Sequence, residues 1–161
     1  MPKINNMNDL EKVINKYLVK ALELTRDDIF EIVSQKVSDY YNEEVFATPP
    51  TDIPDFYQRT GRLMESLTAT NITQNGNIYE FRVGWDQEYL QFKYPRGFGK
   101  SKYNGITGLQ VLQAFNSGTH GFTVDGEHNY WDEALEEIDD RYGGIINLFK
   151  KNCKKVGLPI I

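Results

Sequence analysis

The residue types able to do chemistry in this chain are few and scattered. His120 and His128 are its only histidines, with Asp125, Glu127 and Asp132 close by in sequence. An imidazole beside carboxylates can act as a general base or hold a metal ion. Here the spacing gives no helical ligand pair and the stretch is rich in turn formers, so surface or hydrogen-bonded histidines are the simpler reading. Ser117-Gly118-Thr119 lacks the Gly-x-Ser-x-Gly frame that lifts a serine nucleophile onto a strained turn. Gly99-Lys100-Ser101 matches the tail of a phosphate loop. However, Tyr94 stands where that loop's first glycine belongs, and Tyr103-Asn104-Gly105 is a turn where a helix should begin. No residue is therefore assigned as catalytic, metal-binding or cofactor-binding, and no cofactor is expected.

Two basic groups suit binding better than catalysis. Lys93, Arg96, Lys100 and Lys102 alternate with Tyr94, Phe98 and Tyr103, and no acid lies between Lys93 and Tyr103. Cations with interleaved aromatic faces can touch phosphates and stack on bases. The favoured reading is a solvated loop, or one that meets an acidic neighbour, because a single loop offers few phosphate contacts. Arg59 and Arg62 flank Thr60-Gly61. An arginine fork there suits a neighbour's carboxylate, while Thr60 caps a short helix and Gly61 eases its start.

Composition narrows the classes further. The net charge of −5 argues against general nucleic-acid binding, which needs a basic face. The single cysteine, Cys153, excludes an internal disulfide and any multi-cysteine zinc site; it reads as a packing residue in a reducing compartment. No apolar run is long enough to cross a membrane, and the opening residues lack a signal peptide's apolar core. A soluble protein made in the cytosol, with no membrane partner, is expected.

The elements that must position these residues read as one α+β domain. Residues 1–44 hold a long N-terminal helix, 45–128 a sheet with short helices and the basic loop, and 129–161 a C-terminal helix and tail. The two helices should pack on a small antiparallel sheet. From Asn8 to about Asn42 apolar residues recur every three or four positions, from Leu10 and Ile14 to Val33 and Val37. The stripe passes through Thr25, which with Asp28 also resembles a helix start; a continuous or slightly bent helix is preferred. Pro49 and Pro50 end it. A short helix over 60–66 precedes strands near 68–73 and 78–84, with Asn75-Gly76 as a type I′ hairpin turn and a third strand at 89–94. Tyr79, Phe81 and Val83 share one face of the second strand. A short helix over 109–116 should end at Gly118. Asn129 should cap a last helix whose stripe includes Trp131, Leu135, Ile138, Ile145 and Ile146, interrupted at Gly143-Gly144.

The segment Tyr57–Leu67, reading YQRTGRLMESL, resembles the HK97 gp10-like family of tailed-bacteriophage neck, head–tail joining and tail-completion proteins. Ser117-Gly118-Thr119-His120-Gly121 and the last helix are similar to later parts of that pattern, although a helical run precedes the Gly-Thr stretch here and the basic loop looks like an insertion. The resemblance implies a structural virion protein without catalysis, assembled in the host bacterial cytoplasm. It implies a homo-oligomeric, commonly six-fold ring between head-closure or adaptor proteins and a tail terminator or tail tube protein. Arg59, Arg62, Tyr79 and Phe81 are then candidates for the lateral interface. Lys93, Arg96, Lys100 and Lys102 are candidates for a surface facing packaged DNA or a partner. A small phage enzyme acting on nucleic acid through His120 and His128 stands as the second reading. A monomeric inhibitor or binding module using a Tyr-rich surface stands as the third.

Overall fold

A single helix, α1, runs unbroken from Met7 to Tyr40 in the computed structural model, which describes residues 6–40, 65–91, 107–110 and 129–159. At about 1.5 Å per residue it is roughly 50 Å long. Asn6 begins it, its Oδ1 accepting the Asp9 amide at 2.9 Å, so an exposed donor of the first turn is satisfied. Thr25 does not restart the helix. Its hydroxyl donates to the Ala21 carbonyl at 2.8 Å and is satisfied within the rod. The expected stripe buries Ala21, Ile32, Val33 and Val37, whereas Ile14 on the same stripe is exposed.

Four short strands follow: β1 (Leu67–Ala69), β2 (Thr73–Asn75), β3 (Ile78–Glu80) and β4 (Val83–Trp85). They form two two-stranded sheets, β1 with β4 and β2 with β3, so each expected long strand is divided in two. The division has a visible cause at Thr70. The Thr70 amide donates to the Arg82 carbonyl at 2.8 Å, but the Arg82 amide donates to the Thr70 hydroxyl at 2.8 Å instead of a backbone carbonyl. The Thr70 carbonyl accepts Nη1 of Arg26 from α1 at 3.3 Å. A side chain has entered the ladder and interrupted it.

The hairpin turn also differs from expectation. β2 pairs antiparallel with β3 in the register Thr73↔Glu80, Gln74↔Tyr79 and Asn75↔Ile78. The turn residues are therefore Gly76-Asn77, one position later than Asn75-Gly76. Gly76 has φ +61° and no non-glycine described residue has positive φ. That pattern fits a type II′ turn, which needs glycine only at its first central position. The expected third strand is not one where it is described: Tyr89–Gln91 forms a 3-10 turn with Leu90 buried. Asp86 explains it, because its Oδ1 accepts the amides of Glu88 at 2.9 Å and Tyr89 at 3.1 Å and folds the chain back.

Thr107 and Gln110 form a reciprocal capping pair at the start of helical residues 108–110. The rest of the expected 109–116 helix, and the 60–66 helix apart from its last two residues, lie outside the described residues. The C-terminal helices are α2 (Tyr130–Tyr142) and α3 (Ile145–Val156). Asn129 caps α2 as expected, accepting the Asp132 amide at 3.3 Å while its own amide group donates to the Asp132 carboxylate. Gly157 ends α3 in the left-handed conformation, with its amide bonded to the Lys154 carbonyl and the Leu158 amide to that of Cys153. This is a Schellman ending.

The chain divides into two compact units. The first draws on α1 as far as Ile32, on residues 69–83 and on the chain from Ala134 onward. Its core contains Ala21, Ala134, Ile138, Leu148 and Cys153, with Thr25 and Asn152 as buried polar residues. The second takes α1 from Val33, residues up to Thr68, and Gly84 to Glu133. Val33, Val37, Leu67, Leu90 and Tyr130 are buried there. Trp85 meets Tyr130 edge to face, with ring centroids 5.9 Å apart.

Candidate functional site

The C-terminal helices open a groove where Gly143-Gly144 separates α2 from α3. Helical hydrogen bonding closes at this point: the Gly143 amide donates to the Asp139 carbonyl at 2.6 Å and the Gly144 amide to that of Ile138 at 3.4 Å. Both glycines then take positive φ, +71° and +101°, which side-chain-bearing residues rarely adopt. The Gly144 carbonyl receives the Asn147 and Leu148 amides, each at 3.1 Å, and so starts α3. Asn147 Nδ2 donates to the Gly143 carbonyl at 2.9 Å, holding the break from the other side. Two glycines and one asparagine thus fix the angle at which α3 departs.

That break leaves apolar surface uncovered. The groove has a volume of about 650 Å³ and is open to solvent. Buried Ile138 lines it together with exposed side chains: Leu135 at 49%, Ile145 at 43% and Ile146 at 72%. Glu136, Asp139 and Asp140 also line it. Among the described residues none of these three carboxylates has a cationic partner, whereas the neighbouring Glu137 pairs with Arg141 one turn on. The surface offers apolar side chains beside negative charge. Such a surface suits binding a partner with apolar knobs and positive charges.

The remaining polar constellation of this unit is structural. Asn152 donates through Nδ2 to Thr25 Oγ1 at 3.2 Å and to Asp28 Oδ2 at 2.8 Å. Arg26 pairs with Asp27 at 2.7 Å while reaching Thr70. Cys153 is 1% exposed, and burial pushes its thiol pKa up, because a thiolate there would lose its hydration. A protonated, buried thiol is a packing group. Among the described residues no cluster of His, Cys, Asp and Glu is arranged to hold a metal ion, and no helix is long and apolar enough to cross a membrane.

The residues singled out in the sequence fare unevenly. Tyr79 lies on β3 and Phe81 just after it, both half-buried, while the alternate positions Glu80 and Arg82 are exposed. The Tyr79 hydroxyl is buried and finds no partner among the described residues. Asp132 serves the start of α2. Arg59, Arg62, Lys93, Arg96, Lys100, Lys102, His120 and His128 lie outside the described residues, as do Asp125, Glu127 and Ser117-Gly118-Thr119.

The groove itself was missed by sequence reasoning, which placed Leu135, Ile145 and Ile146 on the apolar stripe of the last helix. One signal was available. Adjacent helical residues point about 100° apart at 3.6 residues per turn, so Ile145 and Ile146 cannot both face one narrow core.

Comparison with known proteins adds one finding. A family model described as YomN matches residues 6–155. No curated protein and no solved structure matches.

Proposed function

The chain belongs to the YomN family, which points to a phage-associated protein, and from that premise we propose that it is a structural virion protein forming a homo-oligomeric ring at the head–tail junction. It works by binding rather than by catalysis, between head-closure or adaptor proteins and a tail terminator or tail tube protein. The observation that carries the reading is the groove at Gly143-Gly144, with Leu135, Ile145 and Ile146 exposed beside acids that have no cationic partner among the described residues. Large exposed apolar side chains grouped in a concavity mark interaction surfaces. A ring subunit needs two different patches that meet in a head-to-tail contact, and the groove qualifies as one of them. The resemblance of Tyr57–Leu67 to the gp10-like neck proteins supports the junction as the location. The end of that segment leads into β1, as the resemblance implies.

Size-exclusion chromatography with light scattering, and mass spectrometry of purified virions, test the proposal. A closed multimer of the pure protein and its presence in mature particles are expected. A protein that stays monomeric at high concentration and is absent from virions overturns it, as does metal-dependent nuclease activity lost on replacing His120 or His128.

A further inference from the structure

We infer that the groove at the Gly143-Gly144 break receives the basic aromatic segment Lys93–Tyr103 of a second copy of this chain. The inference deepens the ring reading and rests on it, by naming the two patches that meet.

The groove defines its occupant by chemistry. Exposed Leu135 and Ile146 and the apolar base at Ile138 call for bulky apolar or aromatic side chains. Glu136, Asp139 and Asp140, without cationic partners among the described residues, call for positive charge and reject further acids. The segment Lys93–Tyr103 meets both demands. It carries Tyr94, Phe98 and Tyr103 as knobs and Lys93, Arg96, Lys100 and Lys102 as cations, with no acid among them. Few stretches of a chain with net charge −5 do so.

Charge also selects among the ways two copies could meet. Groove against groove would face acids with acids, and like charges juxtaposed across an interface cost affinity. Groove against segment pairs opposite charges and uses two different patches. Such a contact leaves each copy with one groove and one segment to offer onward, which is the condition for a closed ring. Nucleic acid is excluded from the groove by the same rim, because phosphates and carboxylates repel. The groove's volume, about 650 Å³, is of the size that encloses a small aromatic group or two.

Reciprocal charge reversal in the full-length protein tests the pairing. One variant carries Asp139→Lys with Asp140→Lys; the other carries Lys100→Glu with Lys102→Glu. Molar mass is read by light scattering and folding by circular dichroism. Each variant alone should fall to monomer mass. An equimolar mixture should regain the multimer, because in an alternating arrangement every reversed groove meets a reversed segment.

A multimer that survives either double reversal overturns the inference while leaving the ring reading intact. So does a mixture of two folded variants that stays monomeric, which would place the segment elsewhere, its own chain's groove included. A wild-type protein that never multimerises removes the ring reading and this inference together. Ile146→Ser gives an independent arm should the charge variants not fold. Its dissociation constant should rise tenfold or more, and an unchanged constant overturns the proposed seat.

Discussion

At the scale of single residues, Asn152 ties α3 to α1 through two hydrogen bonds. Its amide group donates to both Thr25 and Asp28, and the Thr25 hydroxyl donates in turn to the Ala21 carbonyl, so a chain of hydrogen bonds links α3 to α1. Asn152→Leu would fill similar space but leave Thr25 and Asp28 without that donor. A loss of about 1–3 kcal/mol is expected, read as a lowered urea midpoint. Thr25→Val breaks the same chain, and the double variant should lose less than the sum of the two because they share partners. Sequence periodicity placed Thr25 correctly on the buried stripe. It could not reveal the tie to Asn152, because that tie joins residues far apart in the chain.

Cys153 supplies a prediction in pH. Burial raises its pKa in the folded state, so the folded chain holds the thiol proton more tightly than the unfolded chain does. The contribution is therefore complete below the ordinary thiol value of about 8.5 and disappears as pH rises through the higher folded value. Urea midpoints measured from neutral to alkaline pH should decline from about 8.5 upward, and Cys153→Ala should remove that part of the decline.

At the scale of elements, the legible features were those set by local pattern. A helical stripe with a polar start gave α1, and Asn129 with two acids gave the start of α2. What local pattern could not supply was arbitration between neighbours. Thr70 and Arg82 divide the strands through a side-chain hydrogen bond, and Asp86 turns an alternating run into a 3-10 turn. The hairpin turn moved by one residue because one glycine with positive φ satisfies type II′. Glycine substitutions separate strain from crowding. Gly76→Ala has φ +61° and open space around the added carbon, so it should cost about 1–2 kcal/mol from backbone strain alone. Gly143→Ala adds a close approach, 3.0 Å to Asn147 Nδ2, and should lower the thermal midpoint further. Equal midpoints would mean that Asn147 yields without cost.

At the scale of the whole molecule, composition excluded more than it identified. Charge and the lone cysteine weigh against several classes, yet the groove arises from how α2 and α3 diverge, and no one-dimensional pattern states that angle. The proposed assembly predicts a salt response. A contact steered by the groove's acids and a basic segment should weaken as the Debye length falls from about 10 Å at 0.1 M salt to about 3 Å at 1 M. Sedimentation across that range should show the multimer dissociating. A multimer strengthened by salt would mean that apolar burial alone holds it.

The length of α1 has a thermodynamic consequence. α1 belongs to the first unit up to Ile32 and to the second from Val33, and α2 is likewise divided between Glu133 and Ala134. In each helix the boundary between the units falls within a continuous run of helical turns. The two should therefore share one fate on heating, giving a single calorimetric endotherm whose van't Hoff and calorimetric enthalpies agree. Two resolved heat-absorption peaks would show that these helices behave as jointed rods, able to fray at one end while the other stays wound.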